Sequence, residues 1–174
     1  MRILIAYAGR NGSTRTCVER LVGALGHLDV TVKDLNTEQV QAAEYDLCVV
    51  GGCVRFGRLQ PSLRRFFKTQ EQALLERPLV LFFCCGLTHE SEYYQEVLFP
   101  KCLREHAFEN VYFGGSLRTD GLPWMDKLLV KALRSSIAES DIEDGEYTPS
   151  MPGILPENVD RVAASIRRET AQRK

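Results

Sequence analysis

The sequence predicts an α/β fold, a doubly wound five-stranded parallel sheet with helices on both faces. Three observations predict it. Short apolar runs alternate with amphipathic stretches along the whole chain, as βαβ units require. The run Leu47-Cys48-Val49-Val50 and the stretch Pro78–Cys85 are continuously apolar, which suits strands buried on both faces. The length, 174 residues, corresponds to a single domain over 1–174, enough to bury a core without disulfide or metal staples.

The elements read in order as follows. Arg2–Ala8 is β-branched and apolar and forms the first strand. After a glycine turn, Ser13–Leu25 is helical, with Cys17, Val18, Leu21, Val22 and Leu25 recurring on one face. His27–Asp34 alternates Val30 and Val32 with polar neighbours and reads as an edge strand, and Asn36–Ala43 as a short helix capped by Asn36. Tyr45–Gly52 is the third strand. Pro61–Leu75 is a helix with Leu63, Phe66, Phe67 and Leu74 inward, and Pro78–Cys85 is the fourth strand. Glu90–Glu105 is helical with a break at Pro100. Asn110–Gly114 is the fifth strand, Leu122–Ile137 an amphipathic helix, 139–153 an acidic then Pro- and Gly-bearing loop, and Pro156–Ala171 the closing helix.

Composition narrows the function. Hydrophobic residues are 44% and charged residues 26%, which is globular. The net charge of −1, from 22 basic and 23 acidic side chains, argues against nucleic-acid binding. The longest apolar stretch, Leu79–Leu87, is far short of a membrane span. Ile3-Leu4-Ile5-Ala6 is too short for a signal-peptide core, so the expected compartment is the cytoplasm. The six cysteines form no CxxC pair and His27, His89 and His106 are scattered, so no metal site is expected. Cys48 and Cys84 read as small buried hydrophobes.

In open α/β sheets ligands bind beyond the carboxyl ends of the strands. The segments there are Ala8–Thr14, Gly51–Gly57, Cys85–Glu92 and Gly114–Asp120, each containing glycine. The first is the most informative. Gly9, Arg10, Asn11, Gly12, Ser13 and Thr14 join strand to helix, and helix-start N–H groups with the positive end of the dipole suit a phosphate. Neither the GxGxxG spacing nor the GxxxxGK[ST] loop is present, so a phosphate monoester is the better expectation. A plain β–α turn capped by Ser13 is the alternative.

The first strand and loop, from Tyr7 through Thr14, followed by Tyr45-Asp46 and Val49-Val50-Gly51-Gly52-Cys53-Val54-Arg55-Phe56-Gly57, resemble the flavodoxin superfamily. Within it, the loop through Arg55 with Arg64-Arg65-Phe66-Phe67 after it is similar to the branch that includes the quinone-dependent protoporphyrinogen oxidases. Phe113-Gly114-Gly115-Ser116-Leu117, the helix from Trp124 to Lys131, and Glu146-Tyr147-Thr148 also match in order, so the resemblance spans nearly the whole chain.

The resemblance implies strand order 2-1-3-4-5 and one bound FMN. Gly9 to Thr14 would wrap its phosphate. Gly52, Cys53, Val54, Arg55, Phe56 and Gly57 would pass one edge of the isoalloxazine, with Phe56 packing near the ring. Cys85, Gly86 and Leu87, in the loop to Ser91, would take the other edge. The implied activity is an FMN-dependent oxidoreductase resembling protoporphyrinogen oxidase, drawing on a small-molecule reductant and passing electrons to a quinone or redox-protein acceptor. No catalytic acid or base is named, because the flavin carries the chemistry.

An electron-transfer flavodoxin is the second reading. A binding or regulatory module that has lost FMN is the third, resting on Ala8 where the family usually has a hydroxyl. Arg55 could hold an anionic substrate or a reduced flavin, or pair with a loop carboxylate. His89 could donate a proton near the flavin. Tyr93 and Tyr94 could contribute aromatic contacts. The helix 122–137 carries Trp124 beside Lys127, Lys131 and Arg134, which suits peripheral membrane contact as well as covering the sheet.

Overall fold

The structure is a computed structural model, and it describes residues 1–10, 12–55, 57–85, 91–115 and 153–173. Five parallel strands form the sheet in the order β2-β1-β3-β5-β6: β2 (Asp29–Asp34), β1 (Arg2–Ala8), β3 (Leu47–Arg55), β5 (Leu79–Cys84) and β6 (Glu109–Tyr112). β4 (Arg58–Leu59) pairs antiparallel with β3. β1 lies inside the sheet between β2 and β3, and its residues from Ile3 to Ala8 are all buried. β2 lies at the edge, and none of its residues is buried.

Each face of the sheet builds its own core. Ile3, Ile5, Val49, Val80 and Phe82 pack under α1 (Ser13–Leu25) and α5 (Pro156–Gln172). Leu4, Ala6, Val50, Leu81 and Phe83 pack under α2 (Pro61–Leu75) and α4 (Lys101–His106). Strand alternation sends Cys84 to the first core and its neighbour Cys85 to the second. Phe82 stacks on Phe113 at 4.9 Å and Phe83 on Tyr112 at 5.2 Å, so the aromatic rows run from β5 to β6 on both faces.

Several boundaries differ from the sequence reading. No helix forms over Asn36–Ala43. The Asp34 carbonyl accepts the N–H groups of Thr37 and Glu38, and its carboxylate accepts that of Asn36, which closes a tight turn before a helix can start. Only Ala42–Glu44 coils, as a single 3-10 turn.

The segment Gly51–Gly57 is not a loop up to Arg55. β3 runs on through it and pairs antiparallel with β4, Val54 with Leu59 and Arg55 with Arg58. Leu59 is buried, and its packing holds the hairpin down. The Glu90–Glu105 helix divides at Pro100 into α3 (Ser91–Val97) and α4, with Pro100 at the α4 N-cap. A second ladder, β7 (Gly114–Gly115) with β8 (Gly153–Ile154), has no counterpart in the sequence reading, because its partners lie far apart in the chain. The predicted helix 122–137 and the acidic loop up to residue 152 lie outside the described residues.

Candidate functional site

The carboxyl ends of the three central strands finish level. Ala8 of β1 pairs in register with Gly52 of β3, and Cys53 with Cys84 of β5. The β1–α1 turn rises from one side of this edge, next to β3. Gly12 is the α1 N-cap at φ +86°, a conformation open to glycine, and an added Cβ there would meet nothing within 4 Å. With Gly12 the N-cap, Ser13 is the first helical residue, and no acidic residue stands in the first turn. The first helical bond runs from the Thr16 N–H to the Gly12 carbonyl, 2.9 Å. The donors ahead of it therefore lie outside the intrahelical ladder, at the positive end of a 13-residue helix.

Thr14 is 2% exposed, and a Cβ on Gly9 would come within 3.0 Å of the Thr14 Cβ. Thr14 thus packs beneath the loop. Gly51 and Gly52 likewise serve the sheet. A Cβ on Gly51 would lie 2.0 Å from the Phe82 carbonyl oxygen, and one on Gly52 would lie 2.3 Å from that of Ala8. Both are glycine because neighbouring strands approach them, not because a ligand does.

Cys53 is half-buried and accepts a hydrogen bond from the Gln60 side-chain amide, 3.2 Å. Burial pushes its thiol up, so at neutral pH it is protonated and no activated nucleophile. Arg55 is half-buried on the hairpin and Arg10 is exposed. Gly57, at φ +70°, places the hairpin tip against α3, with the Tyr94 hydroxyl 4.0 Å from where a Cβ would stand. Tyr94 is buried edge-on against Phe83, while Tyr93 is 62% exposed.

Cys85 is also buried. Its N–H donates to the Gly114 carbonyl and its own carbonyl accepts the Tyr112 hydroxyl at 2.7 Å. Asn11, Phe56, Gly86, Leu87 and His89 lie outside the described residues. Among the described residues no cluster of His, Cys, Asp or Glu suits a metal ion, and no helix is long and apolar enough to cross a membrane.

Sequence reasoning did not find Asn36, Gln60 and Ser62 as parts of this edge. Asn36 donates from Nδ2 to the Gly9 carbonyl at 2.8 Å and accepts the Ser62 hydroxyl on Oδ1 at 2.8 Å. No local signal marks them, since each acts on a segment distant in sequence.

Residues 4–143 match the family model described as a flavodoxin domain. The chain belongs to the flavodoxin-domain family. Within the fold of that family, the edge built by β1, β3 and β5 is where the strand order reverses between β1 and β3. The flavodoxin of Fusobacterium nucleatum, solved bound to flavin mononucleotide, matches over 97% of this chain and 99% of its own with a TM-score of 0.53 and 11% identity. A mutant of that protein, also bound to flavin mononucleotide, gives 0.54 and 14% over 97% and 96%. The rubredoxin oxygen:oxidoreductase of Desulfovibrio gigas gives 0.49 and 14% over 80% of this chain, which spans 35% of that longer protein. At these identities the likeness to the two Fusobacterium nucleatum structures shows the fold alone. No curated protein matches the chain.

Proposed function

We propose that this flavodoxin-domain protein binds FMN and works as an oxidoreductase of the protoporphyrinogen oxidase-like kind, with a quinone as acceptor. The observation that carries the FMN reading is the start of α1. A helix N-terminus with no acidic residue in its first turn, entered through Gly12 at φ +86° with open space beside it, stands at the carboxyl end of β1. That combination fits a phosphate monoester.

The residues present fit the cofactor. Gly9, Arg10, Asn11, Gly12 and Ser13 would hold the phosphate, with Thr14 bracing them from below. The hairpin from Gly52 to Gly57 and the segment from Cys85 to Ser91 would flank the ring system. When bound, FMN supplies hydride and electron transfer. The chain's own contribution is to bind, orient and shield. Cys53 stays a neutral packing group, and Cys85 is buried. Arg55, at the hairpin, is suited to a carboxylate of the small reduced substrate. Ala8, the basis for a module without flavin, is 0% exposed and packs in the core under α2, so its missing hydroxyl belongs to the core rather than to the loop surface.

A second reading is a flavodoxin-type electron carrier with a redox-protein partner. It is favoured by the likeness over nearly the full length of both chains to flavodoxins solved with flavin mononucleotide, and by the exposed Tyr93 on α3. The visible spectrum of the freshly purified protein, with the released chromophore identified by chromatography, tests the cofactor. A yellow protein releasing FMN is expected. A colourless protein that fails to take up added FMN overturns both readings in favour of a binding module. Turnover of protoporphyrinogen with a quinone then separates the oxidase from the carrier, which would exchange electrons only with a reductase.

A further inference from the structure

The loop after β1 is held by a device outside the loop itself. The Gly9 carbonyl accepts the Asn36 side-chain amide at 2.8 Å. Asn36 is itself anchored to the start of α2, where its Oδ1 accepts the Ser62 hydroxyl at 2.8 Å. The Gly9–Arg10 peptide is therefore held on its carbonyl side by a side chain that a second element keeps in place. The Asn36 amide uses an Nδ2 hydrogen on Gly9 and its oxygen on Ser62, so its orientation follows from the two partners together.

We propose that Asn36 is a positioning residue for phosphate recognition. By fixing the Gly9 carbonyl outward, toward the turn after β2, it keeps an acceptor oxygen from swinging into a site that must present donors to an anion. The inference rests on the FMN reading of the same site and names the residue that sets its preference for a phosphorylated flavin. A carbonyl left to rotate would offer a lone pair where the phosphate carries its negative charge. A flavin without phosphate would not sense the change.

The test measures dissociation constants for FMN and for riboflavin, by quenching of flavin fluorescence, in the full chain and in Asn36→Ala and Ser62→Ala. The parent protein is titrated first. If it binds neither flavin, or binds both equally, the cofactor reading fails and this inference falls with it before any variant is made. If the parent prefers FMN, Asn36→Ala is expected to weaken FMN by about three- to tenfold, the effect of one lost hydrogen bond, with riboflavin changed by less than about twofold. Ser62→Ala, which removes only the anchor, is expected to move FMN in the same direction by less, and it carries the test if Asn36→Ala does not fold. Equal weakening of both flavins would mean that Asn36 only supports the fold and would overturn the inference. Unchanged FMN binding would overturn it too, while leaving the cofactor reading intact.

Discussion

Replacing Gly51 by alanine separates the two uses of glycine in this chain. The added Cβ would stand 2.0 Å from the Phe82 carbonyl oxygen and 2.5 Å from two atoms of the Phe82 ring. An ordinary contact is about 3.5 Å or more, so β3 and β5 would have to part by more than an ångström at Gly51↔Phe82, in the middle of their ladder. The Phe82 ring cannot yield, since it is fully buried and stacked on Phe113 at 4.9 Å. Overpacking of a tight core costs about 1–3 kcal/mol. Each ladder hydrogen bond stretched beyond use adds about 1 kcal/mol. A loss of at least about 3 kcal/mol is expected, against a total stability of about 5–15 kcal/mol for a domain. Gly12→Ala makes the contrast. Its Cβ meets nothing, and only the positive φ resists, for about 1–2 kcal/mol. Urea unfolding followed by far-UV circular dichroism measures both. If Gly51→Ala unfolds within 1 kcal/mol of the parent, the close approach of β3 and β5 does not constrain this position and the argument fails.

Two further outcomes can be checked on the same apparatus. Phe82→Ala removes a fully buried ring from the core under α1 and α5 and is expected to lower stability by about 3–5 kcal/mol; a loss below 1 kcal/mol would show that the Phe82–Phe113 stack is dispensable. Burial pushes the Cys48 thiol from its ordinary value of 9.0 up to about 12, with Arg77 opposing. Between these values the unfolded chain releases a proton that the folded chain keeps, so stability falls as pH rises through this window, by about 1.4 kcal/mol per pH unit for this one group. Cys48→Ala should therefore lose stability with pH less steeply than the parent above pH 9 and in parallel with it below, and unfolding midpoints that stay parallel up to pH 11 would refute the assignment.

Much of the fold was legible in the residues. Arg2–Ala8, Ser13–Leu25 and Pro61–Leu75 have the bounds that their periodicity predicts, and Leu63, Phe66, Phe67 and Leu74 are the α2 residues that face inward. The strand order agrees with the one the family resemblance implied. The errors fall where a local preference met a distant partner. Asn36 is a good helix cap by type, but Asp34 took the neighbouring N–H groups and Gly9 and Ser62 took the Asn36 side chain. The glycines at 51 and 52 look like a ligand cradle in one dimension. In three they are the spaces into which Phe82 and Ala8 fit.

The sequence by itself determined the alternation of strands and helices, the two apolar faces and the first loop as the place to expect an anion, because these depend on residues within a turn or two of one another. Tertiary structure alone decided which side chains serve that loop. Thr14 turns inward and is buried, and Asn36 reaches the Gly9 carbonyl from the turn after β2. The physical reason is that a hydrogen bond is short and directional. Between residues 27 apart, as Gly9 and Asn36 are, it exists only once the strands have been set in register.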